Sequence, residues 1–213
     1  MGYLNKIAAA GVFALMATGA SAATCTGADR SISLTSATAT TSCYAYGMGN
    51  VNGNIDHDPI LNGKSMGGNT FTLAPGSSLI SGLTLLDKSD TSGDDEDKDG
   101  VLTGTLSGGT EEPGKTGNLF GTFTLGDVSG YSSLIIALKV GNSGEPGWAA
   151  FQVASAGVFD FLVSPKQGGG LSHVNVYGIE DVAPAPVPLP ASALLLLGGI
   201  GGIAALRRRK KAA

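Results

Sequence analysis

Phe159-Asp160-Phe161-Leu162-Val163 and Leu134-Ile135-Ile136-Ala137-Leu138-Lys139-Val140 decide the fold of this chain. In the first, Phe159, Phe161 and Val163 recur at every second position; in the second, Leu134, Ile136, Leu138 and Val140 do. A period of two places all of these on one side of an extended strand, so each stretch is expected to turn that side to a core. Working outward, the same reading predicts strands over 69–73, 79–86, 101–106, 118–125, 133–140, 148–154, 158–163 and 171–177, separated by Gly, Asn, Asp, Ser and Pro. Aromatic residues make up 6% of the chain and charged residues 14%, while 34 residues are Gly, a composition suited to many tight turns. The expectation is an all-β fold, an antiparallel β-sandwich of jelly-roll type, occupying residues 23–182 as one domain.

The two ends are of a different kind. Residues 1–22 combine a basic Lys6, an apolar run from Ile7 to Ala17 and the small-x-small site Ala20-Ser21-Ala22, the pattern of a secretory signal peptide cut before Ala23. The apolar run is shorter than the ~20 residues a membrane span requires. At the other end, Ala183-Pro184-Ala185-Pro186-Val187-Pro188 reads as an extended Pro-rich linker over 183–188. From Val187 to Leu206 the chain is long and apolar enough to cross a thin bilayer as a helix, and Arg207, Arg208, Arg209, Lys210 and Lys211 follow it. By the positive-inside rule those five stay cytoplasmic and the rest lies outside. The spacing of Gly198 and Gly202 admits helix pairing, and a Gly-rich helix is also easily unwound.

The motif Val187-Pro188-Leu189-Pro190-Ala191, the Gly-interrupted apolar stretch and the terminal basic cluster, taken together over 187–211, resemble the VPLPA variant of the PEP-CTERM sorting signals processed by exosortases. The latter half of the ectodomain is similar to such sorted proteins around 138–142, 148–151 and 171–178. The resemblance implies an exosortase-type processing enzyme as partner, a transient inner-membrane stage with a periplasmic ectodomain, then release to the cell surface or extracellular matrix in association with exopolysaccharide. It carries over no catalytic residues, and the chain is read as a non-enzyme. The alternatives are a carbohydrate-binding module and a permanently anchored single-span membrane protein.

All 17 acidic residues lie in the expected ectodomain with seven of the 13 basic ones, so its charge is 7 − 17 = −10 against −4 for the whole chain. Such a field excludes nucleic acid as a partner and favours solubility and divalent cations. Cys25 and Cys43 are the two cysteines, and export would place them where disulfides form, so they are expected to pair.

Asp95, Asp97 and Asp99, with Gly100 behind them, form the opening half of a calcium loop, since alternate carboxylates can converge on one cation. Position twelve of an EF-hand register, which should be a bidentate Glu, is Leu106, so calcium would need further ligands such as Asp90 or the Val101 carbonyl. A solvated acidic loop with no cofactor is the competing expectation. Asp56-His57-Asp58 lies in a Gly- and Asn-rich loop, 47–63, and is expected to face solvent. In 171–177 alternation places Val174 and Val176 on one side and His173, Asn175 and Tyr177 on the other, which suggests a surface or hydrogen-bonded role for His173. Sugar binding would need exposed aromatics, for which the ectodomain offers Trp148, Tyr44, Tyr46, Tyr131 and Tyr177.

Overall fold

A computed structural model describes residues 20–90, 100–103, 110–111, 117–141, 143–165 and 170–181. Along the chain run β1 (Ser21–Thr26), β2 (Ser31–Ser36), β3 (Thr41–Gly47), the single-turn helix α1 (Pro59–Asn62), β4 (Thr72–Leu73), β5 (Thr84–Asp90), β6 (Leu102–Thr103), β7 (Thr110–Glu111), β8 (Leu119–Leu125), β9 (Tyr131–Val140), β10 (Trp148–Val153), β11 (Gly157–Ser164) and β12 (Leu171–Glu180). Two antiparallel sheets result. Sheet A has the order β1-β2-β11-β8-β6, with β7 also on β8; sheet B has the order β4-β3-β10-β9-β12-β5. The protein is an all-β sandwich.

The predicted faces form its core. Phe159, Phe161 and Val163 from sheet A and Leu134, Ile136, Leu138, Val140, Val174 and Val176 from sheet B are all buried in one cluster between the sheets. Each such aliphatic or aromatic side chain contributes about 1.5–3 kcal/mol by leaving water. Phe123 and Phe159, cross-strand neighbours on β8 and β11, stack at 5.7 Å between ring centroids.

In sheet A, β1, β2, β8 and β11 alternate between buried and accessible positions, but sheet B does not: from Leu134 to Val140 every residue of β9 is buried. The cause is a second apolar layer on the outer side of sheet B, where Ile135, Ala137, Trp148, Ala150 and Tyr177 pack against Val51, Ile60 and Leu83 from the connection between β3 and β5. That connection, expected to be a solvated loop at 47–63, is thus a cover. Gly47 marks its start: a Cβ there would collide with the Thr70 carbonyl, so only Gly lets the returning chain pass.

Three strands, β1, β2 and β3, were not expected from the apolar pattern, nor was β7. In β1 and β3 the buried positions include Ala23, Cys25 and Ala45, which carry little apolar surface, and in β2 the core pair Ile32 and Leu34 is set among Ser and Thr residues. The strand expected over 79–86 begins later, at Thr84, and that over 69–73 shortens to two residues. A bulge on β3 leaves Tyr44 without an opposite residue on β10, where Ala150 pairs Ala45 and Phe151 pairs Cys43. Such an extra residue re-aims a side chain, and Tyr44 joins the outer layer.

Cys25 of β1 and Cys43 of β3 form the expected disulfide, with Cα atoms 5.4 Å apart, and so the bridge joins sheet A to sheet B. β1 starts at Ser21, ahead of the expected mature end at Ala23; Ser21 and Ala22 pair Ser36 and Thr35, and the Ser21 hydroxyl accepts from the Thr41 amide at 2.9 Å. Residues 1–19 of the expected signal peptide, the linker 183–188 and the sorting segment 187–211 lie outside the described residues. Among the described residues no helix is long and apolar enough to cross a membrane.

Candidate functional site

The outer side of sheet B collects the polar residues of β12. His173, Asn175 and Tyr177 face the cover, as alternation predicts, and all three are buried. The Asn175 amide donates to the Val51 carbonyl at 2.9 Å and to the Tyr177 hydroxyl at 2.8 Å, and that hydroxyl donates to Asp58 Oδ2 at 2.7 Å. His173 Nε2 lies 2.6 Å from the same Val51 carbonyl, which can only accept, so this nitrogen carries the proton. Burial pushes the Tyr177 hydroxyl well above the ordinary phenol range, and the Asp58 charge adds to it.

Asp58 is fully buried, contrary to the expectation for 47–63, because the turn needs it. It is the N-cap of α1, its Oδ1 accepting from the Ile60 amide at 2.8 Å, and its Oδ2 accepts from the Gly53 amide at 2.6 Å. Pro59 at the first helical position and Gly63 at the C-cap, with φ of 61°, complete a one-turn helix. Every lone pair so used fixes the cover; the arrangement is a latch between cover and sheet. Asp56 and His57 stay exposed while Asp58 points inward, so the Asp56-His57-Asp58 triplet does not converge on one point. Among the described residues no group of three His, Cys, Asp or Glu is placed to hold a metal ion. Asp95, Asp97 and Asp99, the candidate calcium ligands, lie outside the described residues, as do Val187 to Ala191 and Arg207 to Lys211.

A second buried polar cluster fastens the turn between β9 and β10. The Arg30 guanidinium donates to the carbonyls of Pro146 at 2.7 Å and Gly144 at 2.8 Å, and also to that of Gly141. Lys139 donates to the carbonyls of Val140 and Gly147. Burial lowers both cations, Lys139 to about 8, with the Arg30 charge as its second cause. No sequence motif announces this pair; the signal available was a basic residue at an otherwise apolar position of β9.

Beside the disulfide lies an open groove of about 740 Å³, between β1 and the segment 74–80. The segment is held against β3 by three bonds: the Ala74 amide to the Tyr44 carbonyl at 2.9 Å, the Ser77 hydroxyl to the Cys43 carbonyl at 2.9 Å, and the Ile80 amide to the Tyr44 hydroxyl at 3.1 Å. Its lining offers Thr24, Thr26, Ser42, Ser77, Ser78 and Gln152 as polar groups, with Tyr46, Leu79 and the disulfide as apolar ones. None of the lining side chains is charged. The outer side of sheet A is of similar character: Thr24 and Ser33 hydroxyls meet at 2.8 Å, and Asp160, bonded by Thr122 at 2.6 Å, is the one charged side chain on the outward positions of β1, β2, β11 and β8.

The aromatic candidates for sugar stacking are mostly used inside. Trp148 is buried beside Phe71 and donates its indole N–H to the Met48 carbonyl at 3.2 Å, and Tyr44 and Tyr177 are buried as well. Tyr46 and Tyr131 remain half-buried, and Tyr46 is the one of the five in the groove. No protein family matches the chain, and no curated protein or solved structure matches it either.

Proposed function

We propose that this chain is an exported, non-catalytic surface or matrix protein, delivered by an exosortase-type enzyme and associated with exopolysaccharide. The observation that carries export is the Cys25–Cys43 bridge between the two sheets, a bond that persists in oxidising compartments outside the cytoplasm. It agrees with the leader-like residues 1–22 and the tail at 187–211. In this reading the tail holds the protein in the inner membrane until it is cut near Val187 to Ala191, and the sandwich, wired as a jelly roll, passes to the surface or matrix. Both ring nitrogens of His173 have protein partners, the Val51 carbonyl and the Ser172 hydroxyl at 3.2 Å, which supports a structural use of that residue.

Mass spectrometry of the protein recovered from the cell surface and from the polysaccharide fraction tests this reading. The expected result is a C-terminus between Val187 and Ala191, and co-fractionation with polysaccharide that is lost when the polysaccharide is digested. Replacing Pro188 and Pro190 by Ala should leave a full-length form in the inner membrane. Recovery of most molecules with Arg207 to Ala213 intact would sink the sorting model in favour of a single-span anchor.

A further inference from the structure

We propose that the groove between β1 and the segment 74–80 is a binding site for a neutral polysaccharide chain. The proposal rests on the matrix reading above and adds a site and a ligand class to it. Its volume, about 740 Å³, falls in the usual range of about 300–1,000 Å³ for ligand clefts. A second depression of about 170 Å³, lined by 40–42 and 152–154, shares Ser42 and Gln152 with it. Those two residues are exposed cross-strand partners on β3 and β10, so the depressions adjoin there.

Charge selects the ligand. The ectodomain as a whole carries −10, yet neither depression has a charged side chain in its lining. An anionic polymer would be repelled by the surrounding field and find no cation in the groove, and a cation would find no carboxylate. What the groove presents is a set of hydroxyls and one amide that both donate and accept, around apolar patches at Tyr46 and Leu79, the latter 55% exposed. A pyranose has the matching character, with equatorial hydroxyls at its rim and C–H groups on its faces. An extended peptide could instead pair with β1, whose second edge has no strand partner in sheet A among the described residues. That mode would use backbone groups and leave the side-chain hydroxyls of the groove without a role.

The test is isothermal titration of the disulfide-intact exported protein with neutral α-1,6-, β-1,3- and β-1,4-glucan hexasaccharides, with polygalacturonate and a Ser/Thr-rich peptide as rival ligands. Ser42→Trp fills the point shared by both depressions, and Val158→Trp adds the same bulk on the outer side of sheet A, where Val158 is already 53% exposed. At least one neutral glucan should bind, with affinity weakened about tenfold or more by Ser42→Trp and unchanged by Val158→Trp. Equal binding by the wild type and Ser42→Trp would overturn the groove while leaving polysaccharide association standing. Binding of polygalacturonate or of the peptide alone would overturn the ligand class. If none binds, the groove is refuted, and co-fractionation with native polysaccharide decides separately whether the matrix reading survives.

Discussion

Lys139 shows how much one residue's protonation can reveal about packing. It is 6% exposed on β9, and its ammonium is spent on the carbonyls of Val140 and Gly147. Burial, and then Arg30, lower it to about 8, below the ordinary lysine range near 10.5. The sign follows from linkage. Between those values the unfolded chain binds the proton and the folded one does not, so stability rises with pH there; the cost of holding the charge is fully present below about 8. The unfolding free energy of the wild type minus that of Lys139→Met, read from urea melts, should therefore increase between pH 7 and pH 9.5. A difference that stays flat would show that the ammonium is not held under desolvation.

At the scale of elements, the cover over sheet B depends on the Asp58–Tyr177 latch as well as on its apolar contacts. Tyr177→Phe removes two bonds, leaving the buried Asp58 carboxylate short of one donor and an Asn175 N–H short of its acceptor, for about 1–3 kcal/mol of lost stability. Asp58→Ala strands the Gly53 and Ile60 amides and the Tyr177 hydroxyl together, and should cost more, roughly 3 kcal/mol. Hydrogen exchange should quicken at Gly53 and Ile60 in both variants and stay slow in β9; uniform acceleration would mean that cover and sandwich unfold as one. This dependence also explains what could be read in advance. Strands β8, β9, β10, β11 and β12 were legible because Phe, Leu, Ile and Val recur in them with strand spacing. The cover was not, because its Asn, Gly and Asp residues look alike whether they face water or, like Asp58, cap a buried turn. Strands β1 and β3 hid for a related reason: Cys25 and Ala45 are buried but carry little apolar surface. The groove was invisible to sequence altogether, since Thr24, Ser42, Ser77 and Gln152 meet only through tertiary packing.

At the scale of the whole molecule the Cys25–Cys43 bridge closes a loop between positions 18 apart in sequence and containing all of β2. In the chain-entropy account a loop of this size is worth about 3 kcal/mol. Reduction, or paired Cys25→Ser and Cys43→Ser replacement, should lower the unfolding free energy by about that amount. Alkylation before reduction should modify neither thiol, and two freely alkylated cysteines in the exported protein would contradict the bridge.

The same bond governs how the molecule would bear load. A pull applied at β1 and at β12 passes from Cys25 directly to Cys43, so β2 and the residues around it are left out of the tensed path. At the other end, tension arrives along β12, which is flanked on both sides by β9 and β5 and must be sheared against two ladders at once. The 17 residues enclosed by the bridge are thereby a hidden length, about 60 Å if drawn out straight, that an oxidised domain keeps in reserve and a reduced one would release.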